Sequence, residues 1–539
     1  MAFEARDKDL LGRIGRLETK SGSVETPVLL PVINPRIQPV KPSDMKELFG
    51  CEALITNAYL VREGFGQSAT EKEIHRLLDY DGVVMTDSGA YQILLYGDVQ
   101  VDPNGIVHFQ EQINTDIATI LDIPTGWRVS KEYANETVKE TLRRARRLKR
   151  VKKRDDLLWV GPVQGGQYLK LVARSAKKMG ELPFDIHALG SPTPVMEQYF
   201  FDVLVDMVMT AKMNLPIERP LHLFGAGHPM MFSLAVAMGC DMFDSAAYAL
   251  FARDDRYMTD SGTLRVNELK YFPCSCPVCA KNTPESLLEK PQLEREWLLA
   301  EHNLFVSFAE LRRIKEAILE GRLWEHLEMR AHAHPSLLRA LKRLGKYEDY
   351  LERSSPVTKN SGMFFFDHIG LARPEVVRYR RRMKENYAQP TKAEVLLLLP
   401  QTDQKPFHMS HEWRDVLSKV HQSPSWKDDV VHVCFYAAPF GVVPFELDEV
   451  YPLSQHETAA PLDSEVIKYV ADRVAAYIAG ATYRKVVLLE DKGVWGKEVV
   501  RACKQVCRKK GIAIANLAKK GAEDKDLVAK ISSSLKLGE

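Results

Sequence analysis

Three closely spaced cysteines carry the clearest chemical signal in the chain. Cys274, Cys276 and Cys279 lie within six residues of one another. Thiolates at this spacing can converge on one tetrahedral metal ion, and the fourth ligand must come from elsewhere in the chain. His302 is the best candidate, because it lies in a stretch (294–318) that reads as a helix. A Cys₃His set leaves no open position for water, so we predict one structural Zn²⁺ per chain. Three free cysteines in a loop are the alternative.

Three aspartates at the ends of apolar segments suggest where the chemistry takes place. Asp87, Asp122 and Asp244 each stand at the end of such a segment. A carboxylate in this position is poorly solvated unless it is paired or hydrogen-bonded. Glycosyl transfer needs paired carboxylates, since one attacks the anomeric carbon while another handles the proton of the leaving group. Helix capping is the alternative for any one of them, but three such residues near Gln164 and Gly165 favour an active site.

The elements that must position these residues form a repeated pattern. Eight short apolar runs alternate with longer polar or helical stretches, which is typical of a parallel sheet. Eight such units predict a closed (β/α)₈ (TIM) barrel with its active site at the carboxyl ends of the strands. An open, doubly wound sheet is the alternative. The runs are 29–32, 53–59, 83–89, 117–124, 157–166, 185–191, 221–227 and 239–245.

A second α/β pattern follows the barrel and the cysteine cluster. Residues 395–400, 430–436 and 485–490 read as strands, and residues 463–478 and 496–509 read as helices. We therefore expect a domain boundary near 385–391. The predicted organisation is a catalytic domain over 1–385, including a zinc-binding subdomain at about 270–345, and a smaller α/β domain over 391–539.

Composition narrows the class of protein further. The chain has 539 residues, of which 45% are hydrophobic and 27% are charged, as in globular proteins of several domains. The five cysteines outside the cluster are scattered, which suits a reducing compartment. We see neither a signal peptide nor an apolar run long enough to span a membrane, so we expect a cytoplasmic protein.

Positive charge is concentrated in one run of the sequence. Residues 143–154 hold nine basic side chains in twelve, which form either a solvated helix face or a contact for phosphates.

Several ordered segments resemble the tRNA-guanine transglycosylases, in particular the archaeal type that begins archaeosine synthesis. The resemblance covers about residues 1–385, and the sequence after 391 is similar to the first accessory domain of the archaeal enzymes. Pro124, in the segment after Asp122, also favours the archaeal branch. The matching segments are TNAY (56–59), TDSGAYQ (86–92), VQGG (163–166), GS (190–191), DMFDS (241–245) and the cysteine cluster with His302.

The resemblance implies a reaction and a role for each aspartate. The archaeal enzymes exchange guanine at position 15, in the D-loop of tRNA, for 7-cyano-7-deazaguanine through a covalent tRNA–enzyme intermediate. Asp244 would attack ribose C1′, and Asp87 would act as general acid and base; the reverse assignment of this pair is the alternative. Asp122 would accept hydrogen bonds from the purine edge.

The resemblance also implies a base pocket and partners. Ser88, Gln164, Gly165 and the backbone at Ala188 would complete the pocket, and Tyr91 or Phe224 would stack on the base. The expected partners are tRNA, 7-cyano-7-deazaguanine and a second copy of the chain, which would form a homodimer around the zinc region. We do not identify a C-terminal PUA-type RNA-binding domain, so a separate PUA-type protein is a candidate partner.

Three other functions compete with this interpretation. The paralogue that converts the inserted base to archaeosine has a Lys-Pro-Tyr motif that resembles Lys405, Pro406 and Phe407, followed by Ser410, but it lacks the paired aspartates and the zinc set. A non-catalytic tRNA-binding subunit would not need Asp87, Asp122 and Asp244. Exchange with queuine or its precursors at an anticodon is disfavoured by Pro124 and the second domain. A nicotinamide or flavin cofactor is not expected, because the Gly225–Gly227 segment lacks the rest of the dinucleotide fingerprint.

Overall fold

The computed structural model describes residues 2–90, 102–518 and 526–537. The chain forms two compact units. The first comprises residues 1–350 and 354–356, and the second comprises residues 351–353 and 357–539.

A closed barrel of eight parallel strands forms the centre of the first unit, so the predicted barrel is confirmed and the open sheet is excluded. The strands pair in chain order from β4 to β11, and β11 then pairs with β4 to close the ring. They are β4 (Val28–Ile33), β5 (Ala53–Asn57), β6 (Val83–Asp87), β7 (Ile117–Thr119), β8 (Leu158–Val163), β9 (Ile186–Leu189), β10 (Leu221–Leu223) and β11 (Met242–Ser245).

Alternate residues of these strands fill the barrel. Ala53 and Ile55 of β5 belong to its interior core, as do Val83 and Met85 of β6. Because side chains alternate across a strand, the next inward position on β6 is Asp87, at the carboxyl end. The apolar layers therefore support a polar layer at the mouth of the barrel.

A three-stranded antiparallel sheet covers the opposite end. Its strands are β1 (Phe3–Asp9), β2 (Gly12–Thr19) and β3 (Gly22–Thr26). Phe3 and Leu17 join the interior core of the barrel. The Lys20 ammonium donates a hydrogen bond of 2.6 Å to the carbonyl of Thr115, just before β7. The sheet thus closes the barrel at the amino ends of its strands, and the polar layer lies at their carboxyl ends.

Helices surround the barrel and continue into the region of the cysteine cluster. The predicted helix over 294–318 is confirmed as the central part of the 29-residue helix Gln292–Glu320. Two short strands, β12 (Arg256–Met258) and β13 (Thr263–Arg265), form a hairpin beside it. The α-helices of this unit are Pro42–Phe49, Ala58–Phe65, Gln67–Leu78, Pro103–Gln112, Lys131–Val151, Leu169–Gly180, Thr193–Glu197, Phe201–Lys212, Phe232–Ala237, Ala247–Arg253, Pro277–Lys281, Pro284–Leu288, Gln292–Glu320, Leu323–Ala331, Pro335–Leu344 and, at the boundary, Glu348–Ser354, with 3₁₀ turns at Pro229–Met231, Val266–Glu268 and Gly345–Tyr347.

The second unit is an α/β domain, as the pattern after residue 391 predicts. Its five-stranded sheet has the order β17-β16-β15-β19-β20, and only β17 is antiparallel. The strands are β14 (Met363–Phe365), β15 (Val395–Pro400), β16 (Val431–Ala437), β17 (Gly441–Pro444), β18 (His456–Thr458), β19 (Lys485–Glu490) and β20 (Ala513–Ala518), and β14 pairs with β18. The α-helices are Pro374–Glu385, Trp413–His421, Ser464–Gly480, Lys492–Trp495, Glu498–Lys510 and Leu527–Ser534, with 3₁₀ turns at His368–Ala372, Phe407–Met409 and Phe445–Leu447.

The division between the units lies earlier than the sequence boundary near 385–391. The basic helix Pro374–Glu385 belongs to the second unit, because its buried side chains Val376 and Tyr379 join that unit's core. The Tyr379 hydroxyl also donates a 2.6 Å hydrogen bond to the carbonyl of Val442 on β17. The buried apolar face of this helix thus assigns it to the second unit, which its basic surface residues did not indicate.

No helix in the described part of the chain is both long enough and apolar enough to cross a membrane.

Candidate active site and metal centre

Asp87 ends strand β6 at the mouth of the barrel and is held by its neighbours. The Asn57 amide, at the end of β5, donates a hydrogen bond of 3.0 Å to Asp87 Oδ2. The backbone N–H of Gly89 reaches the same oxygen at 3.3 Å. Burial, together with the nearby charges of Asp122 and Asp244, raises the pKa of Asp87 to about 7. A carboxyl group with such a pKa can both give and take a proton near neutral pH.

Asp122 lies three residues beyond β7 and is paired with Gln164. The Gln164 amide nitrogen donates a short hydrogen bond of 2.5 Å to Asp122 Oδ2, and its carbonyl oxygen accepts one of 2.8 Å from the backbone of Thr125. Burial raises the pKa of Asp122 to about 6, although the Gln164 amide opposes this shift. A Cβ atom at position 190 would lie 2.1 Å from Gln164 Nε2, so only Gly190 leaves room for this side chain.

Asp244 lies on β11, and both of its donors come from the neighbouring strand β10 or the turn after it. His222 Nε2 lies 2.8 Å from Asp244 Oδ1, and the backbone N–H of Gly225 lies 3.0 Å from the same oxygen. Gly225 has a φ of +70°, a conformation that glycine adopts without strain. The sequence pattern predicts no role for His222. Its position two residues before Phe224 does place it on the same, inward face of the strand.

The other predicted pocket residues that the structure describes lie in and just below the mouth of the barrel. Ser88 follows Asp87, and its buried hydroxyl finds no hydrogen-bond partner among the described residues. The N–H of Gly165 donates to the Thr125 hydroxyl at 3.2 Å. Ala188 belongs to the interior core, one inward position below Gly190, and the Phe224 ring packs against that core. Tyr91 lies outside the described residues.

The described carboxylates and amides therefore meet at one end of the barrel. The geometry brings together Asp87, Asp122, Asp244 and Gln164, from β6, the segment after β7, β11 and the end of β8. Each aspartate has a different hydrogen-bond partner, and two of them have raised pKa values. Such a set can supply a nucleophile, a proton carrier and a hydrogen-bond acceptor in one cavity.

The predicted convergence of the cysteine cluster is confirmed. One ligand atom each from Cys274, Cys276, Cys279 and His302 lie within 4.8 Å of one another. His302 Nδ1 is 3.4 Å from the sulfurs of both Cys276 and Cys279. A tetrahedral Zn²⁺ with ordinary bond lengths would separate nitrogen and sulfur by about 3.5 Å.

The surroundings of the cluster fit a metal ligand set. His302 is fully buried, and its Nε2 lies 2.9 Å from the carbonyl of Met258. Because Nε2 donates to this carbonyl, Nδ1 carries the lone pair that faces the thiols. The Tyr257 ring stacks on the imidazole with centroids 3.7 Å apart, and its hydroxyl lies 3.3 Å from the sulfur of Cys279. The residues therefore fit a closed metal centre.

The carboxylate-lined mouth of the eight-stranded barrel holds the kinds of group that transfer at a glycosidic bond requires. The chain belongs to the queuine tRNA-ribosyltransferase (TGT) family, whose model matches residues 7–336, and it is a transglycosylase. The second unit matches a domain of unknown function (DUF5591) over residues 376–535.

Curated relatives extend this similarity beyond the barrel. The tRNA-guanine(15) transglycosylase of Methanocaldococcus jannaschii is 44% identical over 474 residues, which is 86% of this chain and 70% of that protein. The protein of the same name from Pyrobaculum aerophilum is 46% identical over 462 residues, or 85% of this chain and 90% of the relative. The one from Sulfolobus acidocaldarius is 39% identical over 493 residues, or 90% of this chain and 95% of the relative.

Proposed function

We propose that the chain exchanges guanine at position 15 of tRNA for 7-cyano-7-deazaguanine. The arrangement of Asp87, Asp122 and Asp244 at one barrel mouth is the observation that carries this proposal. The names of the relatives support the tRNA substrate and the position. The target base must leave its stack to reach a site inside a barrel mouth, as in other enzymes that act on a nucleobase.

The proposed reaction consists of two displacements at ribose C1′. Asp244 attacks C1′ as the C1′–N9 bond to guanine breaks, and protonated Asp87 supplies the proton that guanine takes away. Asp87 is then a carboxylate and accepts the N9 proton of the incoming 7-deazaguanine, whose nitrogen displaces Asp244 from C1′. The raised pKa of Asp87, about 7, suits a group that changes its protonation state twice in each cycle.

Asp122 is the proposed acceptor for the base. The Watson–Crick edge of guanine presents two adjacent donors, N1–H and the exocyclic amine, and one carboxylate can accept both. With a pKa of about 6, Asp122 is mostly ionised at pH 7. Gln164 holds its carboxylate in place, and the Ser88 hydroxyl, which has no hydrogen-bond partner in the described part of the chain, is a further polar group for the base. Adenine lacks this pair of donors, so the site would favour guanine and its 7-deaza relatives.

The Cys₃His centre is proposed to bind one structural Zn²⁺. Its four ligands leave no position for substrate, so the ion would stabilise the fold rather than take part in exchange. Exposed apolar side chains lie close in sequence to the cluster: Tyr271 is 83% exposed and Leu293 is 81% exposed. Large apolar side chains with this exposure suit an interface, and we propose a homodimer formed around this region. A separate PUA-type partner stays a prediction.

The basic run 143–154 is proposed to contact the phosphate backbone. It lies at the end of the helix Lys131–Val151 and just beyond it. Glu140 binds both Arg143 and Arg144, which supports the solvated-helix alternative for these two arginines. Five basic side chains of the run are exposed, with no ion pair among the described residues: Arg146, Arg147, Lys149, Arg150 and Lys153. These side chains are the part of the run available to phosphates.

The test is base exchange on an unmodified tRNA transcript that carries labelled guanine. Incubation with the purified protein and unlabelled 7-cyano-7-deazaguanine should release the label, and replacing guanine-15 in the transcript should abolish the release. Release that persists after this replacement would contradict the proposed position. Binding of tRNA without any release would indicate a silent subunit or the need for a partner, and addition of a PUA-type protein would separate these two outcomes.

The pH dependence of the rate of guanine release should follow the ionisation of Asp87. Release needs the protonated acid, so the single-turnover rate should fall about tenfold per pH unit above the Asp87 pKa of about 7. Asp87→Asn cannot ionise and should react slowly at a rate independent of pH over the same range. Measurement from pH 6 to pH 9 with saturating tRNA checks this expectation. A wild-type rate that stays constant up to pH 9 would contradict the role of Asp87 as the acid.

A further inference from the structure

We infer that His222 is a positioning residue that orients Asp244 so that Oδ2 is the attacking oxygen. This inference rests on the proposed function. His222 lies on β10, one strand away from Asp244, and it is fully buried. Its Nε2 and the N–H of Gly225 both bind Asp244 Oδ1, at 2.8 and 3.0 Å. Two donors on one oxygen hold the plane of the carboxylate and direct the other oxygen towards the cavity.

The surroundings of His222 indicate which ring nitrogen donates the hydrogen bond to Asp244. Its Nδ1 is buried and has no hydrogen-bond partner among the described residues. A proton on Nδ1 would be a buried donor without an acceptor, so the ring carries its proton on Nε2 and donates it to Asp244. The imidazole N–H at Nε2 therefore points at Asp244 Oδ1, 2.8 Å away.

The same two donors suit the covalent state. When Oδ2 forms a bond to ribose C1′, Oδ1 becomes the carbonyl oxygen of the ester and still accepts both hydrogen bonds. When the incoming nitrogen displaces the ester, negative charge returns to the carboxylate, where both donors stabilise it. Gly225 is needed for this geometry, because a Cβ at its φ of +70° would lie 2.5 Å from the Thr193 hydroxyl.

The inference can be tested with His222→Leu, which removes the donor, and His222→Gln, whose terminal amide can replace Nε2. The readouts are the single-turnover rate of covalent tRNA–enzyme formation at saturating tRNA, the Kd for tRNA and the melting temperature. We expect His222→Leu to slow covalent formation by about 10²-fold to 10³-fold, with the Kd within about twofold of wild type. His222→Gln should recover at least about tenfold of that loss.

His187→Leu is the matched control. His187 is also a buried histidine on the adjacent strand β9, and its Nδ1 has no partner within the described ranges. No hydrogen bond links it to Asp244 among the described residues, so its loss should change the melting temperature without a comparable change in the rate of covalent formation. If His222→Leu does not fold, His222→Asn replaces it, since the shorter amide cannot reach Oδ1 while His222→Gln can.

The outcomes distinguish failure of the His222 inference from failure of the proposed function. An active wild type with an unchanged rate in His222→Leu would overturn this inference alone. Equal rates in His222→Gln and the non-donating variant would also overturn it, since a purely structural role predicts no rescue by a donor. A wild type that binds tRNA but, even after addition of a PUA-type protein, neither releases guanine nor forms the covalent complex would overturn the proposed function and this inference with it.

Discussion

Asp244→Ala is expected to bind tRNA normally and to release no measurable guanine. Removal of the proposed nucleophile would eliminate the proposed covalent route, so the exchange rate should fall by about 10⁴-fold or more. Affinity for tRNA should persist, because most of it comes from contacts with the phosphate backbone. The measurements are label release from tRNA, denaturing gel electrophoresis for the covalent complex, and filter binding for the Kd.

Two further variants separate the nucleophile role of Asp244 from other effects of losing an aspartate. Asp87→Ala should also lose exchange; if it still forms the covalent complex with a tRNA whose leaving group needs no proton, then Asp244 is the nucleophile. Asp241→Asn is the matched control for a buried aspartate close in sequence. It weakens the ion pair with Arg13, where nitrogen and oxygen are 2.7 Å apart, so it should lower stability but retain exchange per folded molecule. Normal exchange by Asp244→Ala would remove the nucleophile assignment, and covalent trapping lost only in Asp87→Ala would reverse it.

Cys276→Ser is expected to lose the bound metal and much of the stability of the first unit. Cys276 precedes the short helix Pro277–Lys281, and its sulfur lies 3.4 Å from His302 Nδ1. A serine hydroxyl is a poor zinc ligand, and the binding energy of a structural zinc ion contributes directly to folding. We expect metal content to fall from one Zn²⁺ per chain to nearly none, with a drop of about 10 °C or more in the first melting transition.

The cluster also connects to the strand of Asp244 through its neighbours. Asn303, next to His302, accepts a hydrogen bond from the Met258 backbone at 2.9 Å and donates one of 3.1 Å to the carbonyl of Tyr248. Tyr248 lies in the helix Ala247–Arg253, which follows β11. Loss of the metal should therefore loosen the support of the nucleophile strand and reduce exchange as well as stability.

Elemental analysis and thermal melting check this expectation, and Cys51→Ser is the control. Cys51 is a buried thiol of the same unit, 3.2 Å from the carbonyl of Ala53, and it lies outside the cluster. Its substitution should leave the metal content unchanged. An unaltered melting temperature and metal content in Cys276→Ser would contradict a structural metal centre.

The amino-acid sequence by itself determined the architecture and identified the side chains that can take part in catalysis or metal binding. Eight apolar runs predicted the barrel, because strands buried on both faces need nearly continuous apolar sequence. The spacing of Cys274, Cys276 and Cys279 predicted their convergence, because this spacing is typical of zinc ligands, and His302 was the best candidate for the fourth ligand. The roles of the three aspartates stay predictions, since each role depends on substrate.

Only the tertiary structure decided how these residues pair. Asn57 with Asp87, Gln164 with Asp122, and His222 with Asp244 are each brought together by adjacent strands or by turns that close over the barrel mouth. The pKa values of Asp87 and Asp122 follow from burial and from neighbouring groups distant in sequence. Sequence pattern records which face of a strand is apolar. It does not record which side chain of the next strand lies within hydrogen-bond distance, because that depends on register, closure of the barrel and the space left by residues such as Gly190.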